Sequence, residues 1–218
     1  MTSSILVVCA HPDDESLGAG GTIAAHTGHG IPVDVLCLTA NDTRKSELEA
    51  ACKTLGVREV YVGIRDDFAI DMTLRDEVIK VILKSRPTVI ITHSTDDYNL
   101  NHVQCSDLVS QSAEWASHVT IYEDAHKVER IYHMEVNSLL SRPQVFVDIT
   151  DSYDVAVQAL GQHKSQLKKA DSFYTKFYDA RTRLRGVQAA CARAEAFTIE
   201  IPFHVGPFYP HNSVKQLI

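Results

Sequence analysis

The chain has little positive charge and no long apolar run at its start. Its 218 residues carry 21 lysines and arginines against 28 acidic residues, a net charge of −7, and its longest basic cluster is KSQLKK. Nucleic acids bind to basic stripes, so we expect no nucleic-acid partner. The opening residues MTSSILVV lack a basic segment, and charges soon interrupt their apolar run. We therefore expect neither a signal peptide nor a membrane span.

The chain also lacks a disulfide framework. Its five cysteines are odd in number, widely scattered and mostly embedded in apolar runs. This pattern is typical of reduced core thiols, and it predicts a cytoplasmic protein. The cysteines are Cys9, Cys37, Cys52, Cys105 and Cys191.

A dinucleotide-binding fingerprint is missing as well. That motif places its glycines in the turn directly after the first strand. Here AHPDDE follows the strand, GAGG (18–21) comes some nine residues late, and Ile23 stands where the third glycine belongs. Small residues that pack a helix onto a sheet explain GAGG better.

Strands and helices alternate along the first half of the chain. Short β-branched apolar runs predict strands at 5–9, 33–39, 59–63 and 88–93. Helical patterns lie between them at 16–28, 44–56 and 73–86. Such alternation predicts a Rossmann-like α/β fold, with a mostly parallel sheet and helices on both faces.

The second half is less regular. Its patterns predict strands in KVERIYHM, QVFVDI and FTIEI, and helices at 103–117, 151–170 and 174–196. Gly186 is an unfavourable residue inside the last of these helices. Neither a repeat nor a low-complexity linker divides the chain, and we expect a single domain over residues 1–218.

Polar side chains gather after two of the predicted strands. The stretch VVCAHPDDES (7–16) brings a histidine and three acidic residues to the end of the first strand, and HSTDDYNLNH (93–102) follows the fourth. In open α/β sheets, functional residues lie beyond the carboxyl ends of the strands. The two loops are therefore expected to form one site.

These loops contain the ligands that a catalytic zinc ion prefers, about three side chains of His, Asp or Glu with one position left for water. His11 and either Asp13 or Asp14 can supply two of them. His102 is the natural third ligand because it opens a helix and so has a fixed backbone. Its competitors are His93 and Asp97. A simpler alternative is that Asp14 or Ser16 only caps the following helix, with His102 binding nothing.

Four segments of the sequence carry a family resemblance: AHPDDESLGAGGTIA, the later loop ending in NH, HKSQ (163–166) and RLRGVQAACARAEAF. They resemble the PIG-L/LmbE-like zinc N-deacetylases, which remove acetyl groups from N-acetylglucosamine-type substrates. The resemblance runs over nearly the whole chain. It implies a lactate-dehydrogenase-like α/β fold and a zinc ion held by His11, Asp14 and His102. It also implies Asp13 as the general base, a small N-acetylated sugar as substrate, and a homo-oligomer.

This division of roles between neighbouring carboxylates is chemically reasonable. Adjacent residues of an extended loop point in different directions, so Asp14 can bind a metal ion while Asp13 reaches the water beside it. Zinc lowers the pKa of bound water to about 7, and a free carboxylate can accept its remaining proton. Fe²⁺ can occupy the same ligands.

The sequence departs from the family in its third motif. The family often carries a histidine and an aspartate where this chain has Asn99 and Asn101. Asparagine binds hydrogen-bonding groups but cannot transfer a proton, so the leaving-group acid is either Asp13 or another histidine. We expect Asn99 to contact the substrate.

His163 is the other histidine. On the predicted helix it aligns with Ala156, Leu160 and Leu167, which places it on the apolar, inward face. It is either a core histidine bonded to a backbone carbonyl or, as its place in HKSQ favours, a catalytic residue that polarises the oxyanion.

Charged residues after the second and third strands are candidates for substrate binding. Arg44 and Asp66, together with Arg65, lie at the carboxyl edge of the predicted sheet. A guanidinium group binds sugar hydroxyls, carboxylates or phosphates well. Ordinary surface ion pairing is the alternative. The aromatic segment FHVGPFYPH (203–211) is expected to rim a pocket or to contact a neighbouring subunit.

Two rival functions remain open. A non-haem Fe(II) oxygenase uses two histidines and one carboxylate, here His11, Asp13 and His102, but it also needs an arginine for its cosubstrate, and none can be placed. A catalytically decayed sugar-binding subunit is suggested by Asn99 and Asn101. Retention of Asp13 argues against it.

Overall fold

The computed structural model describes residues 3–169 and 173–200. Within these residues the strands are β1 (Ile5–Cys9), β2 (Val33–Thr39), β3 (Glu59–Arg65), β4 (Val89–His93), β5 (Arg130–Met134), β6 (Val145–Asp148) and β7 (Ala194–Ile199). They form one seven-stranded sheet in the order β3-β2-β1-β4-β5-β7-β6. Each of the four strands expected in the first half is present.

The helices of the described residues alternate with the strands from β1 to β5, whereas three helices in succession lie between β6 and β7. They are α1 (Asp14–Gly28), α2 (Asp42–Thr54), α3 (Arg75–Ser85), α4 (Leu100–Ala116), α5 (Tyr153–Leu160), α6 (Lys164–Lys169) and α7 (Phe173–Ala189), with a 3-10 turn at Met72–Leu74 before α3.

Strand β1 lies between two parallel neighbours, β2 and β4. The chain runs outward from β1 to β3 and then crosses to β4 on the other side of β1. Strand β5 is parallel to β4, whereas β7 runs antiparallel to both β5 and β6. The prediction of a mostly parallel α/β sheet is therefore confirmed, and the reversal of strand order places a crevice between β1 and β4.

Alternate side chains of β1 enter two separate cores. Ile5, Val7 and Cys9 pack in one cluster with residues of α1, α2 and α5, whereas Leu6 and Val8 pack in the other with residues of α3 and α4. Side chains of a strand alternate between the faces of its sheet. The helices therefore cover both faces, as the sequence predicts.

The GAGG segment lets α1 approach its neighbours closely. A methyl group added at Gly21 would lie 2.6 Å from Cδ1 of Ile149, and one at Gly18 would overlap the side chain of Met134. The packing explanation for these glycines is therefore confirmed.

The helix predicted over 151–170 is interrupted. Helix α5 ends at Leu160, and α6 begins at Lys164 after a turn that contains Gly161 and His163. Glu47 of α2 accepts hydrogen bonds from the backbone N–H and the hydroxyl of Ser165, at 2.7 Å each, and so fixes the first turn of α6. Contacts from α2 thus override the local helical pattern.

The helix predicted over 174–196 ends early. Helix α7 stops at Ala189, Ala190 adopts a left-handed backbone with φ 56°, and β7 begins at Ala194. The backbone N–H of Cys191 turns back to the carbonyl of Gly186, and a methyl group at Gly186 would lie only 2.7 Å from the carbonyl oxygen of Ala192. Gly186 therefore permits the reversal that the sequence pattern missed.

Two further expectations concern disulfides and membrane spans. All five cysteines are free and four of them are buried, as expected of reduced core thiols. In the ranges that the structure describes, no helix combines the length and the apolar character required to cross a membrane. The segment 203–211 lies outside the described residues.

Candidate metal centre and active site

A cavity of about 280 Å³ opens at the crevice between β1 and β4. Its walls come from the loop after β1, the starts of α1 and α4, the loops after β3 and β5, and residues of α2, α6 and α7. The residues that line it are His11, Asp13, Asp14, Leu17, Arg44, Phe68, Asn99, His102, Asn137, Gln166 and Tyr174. The two loops singled out in the sequence thus meet at one place.

Three side chains in the cavity form a metal-binding cluster. One ligand atom from each of His11, Asp14 and His102 lies within 4.8 Å of the other two. The Oδ1 atom of Asp14 is 3.4 Å from Nε2 of His102, and its Oδ2 atom is 3.4 Å from Nδ1 of His11. Two imidazoles and one carboxylate facing a cavity are the donor set of a catalytic zinc site. The residues present therefore fit such an ion, and Asp14 rather than Asp13 completes the cluster.

Asp97 supports this cluster from behind. Nδ1 of His102 donates to Oδ2 of Asp97 at 3.0 Å, and that oxygen also accepts the backbone N–H of Asn137 at 3.1 Å. This bond turns Nε2 of His102 toward Asp14. A carboxylate that orients a histidine in this way is a common partner of metal ligands. Asp97, a competitor for the third ligand position, is placed to orient His102.

His93 lies beneath the cluster and is fully buried. Its Nε2 atom accepts the backbone N–H of Ala10 at 2.9 Å, and its ring stacks on that of His102 with centroids 4.0 Å apart. The same nitrogen lies 3.3 Å from Oδ2 of Asp14, so His93 contacts two members of the cluster from below. It is not part of the three-residue cluster.

The surroundings of His102 and Asp14 favour the charged form of each side chain. Burial opposes a charge on His102, but Asp14 and Asp97 outweigh it and raise the pKa of His102 to about 10. Burial also opposes ionisation of Asp14, but the histidines around it, chiefly His102 and His93, hold its pKa well below the usual range. A metal ion that binds here must displace the proton on His102.

Asp13 occupies a strained position beside the cluster. Its backbone has φ 109° and ψ −26°, a conformation that costs a non-glycine residue about 1–3 kcal/mol and is typical of functional sites. Its Oδ1 atom accepts a hydrogen bond from Nη2 of Arg44 at 2.9 Å. Burial and the neighbouring charge of Asp14 raise the pKa of Asp13 to about 8, despite the opposing charge of Arg44. Its carboxyl group can therefore gain and lose a proton near neutral pH.

Arg44 spans the loop that carries these carboxylates. Its Nη2 atom donates to the carbonyl of Pro12 as well as to Asp13, and its guanidinium carbon lies 5.6 Å from the centre of the Phe68 ring. The side chain is largely buried and lines the cavity. Arg44 is thus placed both to hold Asp13 and to face a bound molecule.

Asn99 and Asn101, which replace the usual histidine and aspartate of the family's third motif, have different positions in the structure. Asn99 caps α4, with its Oδ1 atom accepting the backbone N–H of Asn101 at 3.0 Å, and it lines the cavity. The Nδ2 atom of Asn101 donates to the carbonyl of Phe68 at 2.7 Å and lies 3.1 Å from Nε2 of His11. Asn101 therefore fixes the ring of a metal ligand, and Asn99 faces the cavity.

His163 is buried behind the cavity. It has no exposed surface, and Nε2 donates to Oε1 of Glu15 at 2.8 Å. The other oxygen of Glu15 accepts the backbone N–H of Asp13 at 2.9 Å. His163 thus reaches the site through Glu15 and is not among the residues that line the cavity.

The remaining sequence-based candidates give mixed results. Asp66 is exposed and does not line the cavity, whereas Phe68 two positions later does. Sequence reasoning also missed Leu17, Asn137, Gln166 and Tyr174 as lining residues. Gln166 lies in the HKSQ segment, which was the available signal. Phe68 and Asn137 lie in irregular loops that show no pattern.

Comparisons with known proteins point to the same loops. The model of a family described as "PIG-L: GlcNAc-PI de-N-acetylase" matches residues 6–113, about half of the chain, which include all three members of the cluster. A Bacillus cereus protein named "Probable N-acetyl-alpha-D-glucosaminyl L-malate deacetylase 2" is 28% identical, with 76% of this chain and 84% of that protein covered.

Two further relatives differ in the reaction for which they are named. The diacetylchitobiose deacetylase of Thermococcus kodakarensis is 25% identical, with 74% of this chain and 69% of that protein covered. The 4-oxalmesaconate hydratase of Pseudomonas putida is 27% identical, with 85% and 81% covered.

The fold is also shared with solved structures. A conserved protein of Thermus thermophilus superposes with a TM-score of 0.84 at 24% identity, over 95% of this chain and 99% of that one. The match to the family model covers both loops that build the cavity, and the relatives align over most of the chain. The chain belongs to the PIG-L/LmbE-like family.

Proposed function

We propose that this protein is a zinc-dependent N-deacetylase, which hydrolyses the acetamide of a small N-acetylglucosamine-type compound and releases acetate and a free amine. The observation that carries this proposal is Asp13, a carboxyl group that lies beside the three-residue cluster but outside it. Two of the relatives described above are named as deacetylases of such compounds.

His11, Asp14 and His102 would hold the metal ion. When bound, zinc supplies a Lewis acid for the amide carbonyl and lowers the pKa of water. The same donors suit Fe²⁺, so the identity of the metal is part of the proposal.

Asp13 would move the protons of the reaction. Arg44 holds one oxygen of its carboxylate, which leaves the other free to take a proton from the attacking water. Asn99 and Asn101 cannot supply a proton, so the same carboxyl group would return it to the leaving amine. In the metal-free protein the pKa of Asp13 is about 8, so both protonation states of this carboxyl group are accessible near neutral pH.

The other walls of the cavity suit a sugar. Asn99, Asn137 and Gln166 offer amide donors and acceptors, while Phe68 and Tyr174 offer aromatic rings. The volume of about 280 Å³ is just below the range for ligand cavities, about 300–1,000 Å³. We therefore propose a substrate that places a single N-acetylated sugar ring in the cavity.

The test is a panel of N-acetylated sugars and glycosides incubated with the zinc-loaded protein. We expect equal amounts of acetate and primary amine from at least one compound. Three results would contradict the proposal: hydration of an unsaturated dicarboxylic acid without acetate release, oxygen consumption without acetate by anaerobically purified Fe²⁺ protein, or sugar binding without turnover.

Asp13→Asn provides the control for this assay. The amide still accepts a hydrogen bond from Arg44 but cannot take up a proton, so we expect kcat to fall by about 10²–10⁴-fold with zinc content unchanged. Asp76→Asn, at an exposed residue of α3, should leave turnover unaltered.

We also propose a cytoplasmic location and a homo-oligomer. Five unpaired cysteines are typical of a reducing compartment. Phe173, Leu184 and Val187 are exposed on α7, and their spacing places them on one face of the helix. A second copy of the chain would cover this face.

A further inference from the structure

The carboxylate of Glu15 is fully buried and bonded on both sides. Its Oε2 atom accepts the backbone N–H of Asp13 at 2.9 Å. Its Oε1 atom accepts Nε2–H of His163 at 2.8 Å and the hydroxyl of Ser16 at 2.5 Å. Glu15 therefore connects the backbone of Asp13 to a residue 148 positions further along the chain.

The backbone of Asp13 requires such a connection. A non-glycine residue at φ 109° persists only when its surroundings hold it there. Glu15 accepts the N–H of this strained residue, while Arg44 holds its side chain. Together they fix the direction in which the Asp13 carboxyl group faces the cavity.

Glu15 in turn depends on His163. A carboxylate removed from water is costly unless it is hydrogen-bonded and paired with a cation. His163 is the histidine that pairs with Glu15, and neither side chain has any exposed surface.

His163 is itself held in a rigid place. It lies at the junction of α5 and α6, where its N–H donates to the carbonyl of Leu160 and its carbonyl accepts the N–H of Leu167. The ring does not line the cavity. It is thus placed to act on Glu15 and not on a bound molecule.

We propose that His163 is a positioning residue. The Glu15–His163 pair holds the Asp13 backbone in its left-handed conformation and so directs the Asp13 carboxyl group toward the reacting amide. The effect on turnover rests on the proposed deacetylase function, whereas the effect on the Asp13 backbone does not.

Three variants separate this role from simple packing. His163→Leu removes the donor to Glu15, His163→Gln retains an N–H donor near the position of Nε2, and Glu15→Gln leaves one acceptor oxygen in place of two. His118→Leu is the matched control, because His118 also donates to a glutamate, Glu114 at 2.6 Å, but just beyond the far end of α4 and away from the cavity.

Turnover provides the first measurement. Because a displacement of about 1 Å at a reacting group can cost about 100-fold, we expect kcat of His163→Leu to fall by about that factor, with KM and zinc content unchanged. His163→Gln should recover most of the loss. The double variant Glu15→Gln/His163→Leu should be no slower than the slower single variant, because both act through one connection. A rise in KM with unchanged kcat would overturn the proposal. It would show that His163 acts on substrate binding through Gln166, which lines the cavity.

Hydrogen exchange of the Asp13 amide, followed by NMR in the metal-free protein, provides a measurement that needs no activity. We expect faster exchange in His163→Leu and Glu15→Gln, and no change in His118→Leu. Unchanged exchange in both site variants would overturn the proposal whatever their turnover. If the wild-type protein releases no acetate but exchange responds as expected, the deacetylase function fails while the positioning role stands. If His163→Leu does not fold, Glu15→Gln and His163→Gln carry both measurements.

Discussion

Asp13 and Asp14 are adjacent carboxyl groups with opposite electrostatic surroundings. Asp14 faces histidines, which keep it ionised and suited to a metal ion. Asp13 is buried beside that negative charge, which raises its pKa to about 8. Proteins separate the pKa values of two neighbouring groups by giving them different environments. One group can then act as an acid or base while the other keeps a fixed charge.

Asp97 gives a direct prediction about metal affinity. Asp97→Asn weakens the hydrogen bond that orients His102, so zinc should bind about 10–100-fold more weakly, as measured by competition with a chelator. Asp96→Asn, at the exposed neighbour, should leave affinity unchanged. Equal affinities for all three proteins would show that Asp97 does not support the metal site.

The pKa of His102 predicts how zinc uptake depends on pH. Its value of about 10 in the metal-free protein means that His102 is protonated at pH 7, whereas a metal ligand must be neutral. Zinc binding at pH 7 should therefore release protons, and affinity should rise with pH up to about 10. Calorimetry in buffers of different ionisation enthalpy measures the release. Heats that do not vary with the buffer would contradict it.

The same shift predicts the stability of the metal-free protein. The pKa of His102 is higher in the folded state than in the unfolded state, so its contribution is fully present below about 6.5 and is lost as pH rises toward about 10. Thermal unfolding should therefore show a falling Tm over this range. Saturating zinc should reverse the fall, because it replaces the proton.

At the level of helices and strands, local sequence patterns predict the elements of the first half of the chain well. The four strands of the first half and helices α1 to α4 lie close to their predicted ranges. The break between α5 and α6 depends on Glu47 and Glu15, which are distant in sequence. The early end of α7 depends on a backbone contact at Gly186. Gly186, an unfavourable residue in the predicted helix, is a local signal of this early end, whereas the contacts of Glu47 and Glu15 leave no local pattern.

Gly186 provides a prediction about this reversal. Gly186→Ala places a methyl group 2.7 Å from a backbone carbonyl, so we expect a loss of about 1–3 kcal/mol in the free energy of unfolding. Gly28→Ala is the matched control. No atom lies within 4 Å of its added methyl group, and the change should be neutral or stabilising by up to about 1 kcal/mol. Denaturant unfolding compares the two, and equal losses would contradict the close approach at Gly186.

For the whole molecule, the order of the strands explains why the cluster was predictable. His11 and His102 follow the two strands that flank the reversal of strand order, and loops at such a point meet in any fold of this type. Phe68, Asn137 and Tyr174 reach the cavity from other segments, so only the three-dimensional structure identifies them. The single domain over residues 1–218 stays a prediction, supported by one sheet that runs through the described ranges.

The exposed face of α7 predicts the assembly of the molecule. Leu184→Glu and Val187→Glu place charges on this face, so we expect the oligomer to dissociate in light-scattering measurements while each chain stays folded. Val119→Glu, at an exposed residue outside α7, should leave the mass unchanged. A monomeric wild-type protein would remove the prediction.

The position of β7 has a consequence for synthesis on the ribosome. Among the described strands, β6 pairs with β7 alone, and β7 separates it from β5. Strand β6 is translated well before its partner and must wait as an unpaired edge, the kind of surface on which nascent chains aggregate. Strand β6 can join the sheet only after β7, which ends at residue 199, has emerged from the ribosome. A chain truncated before β7 should therefore depend on chaperones to stay in solution.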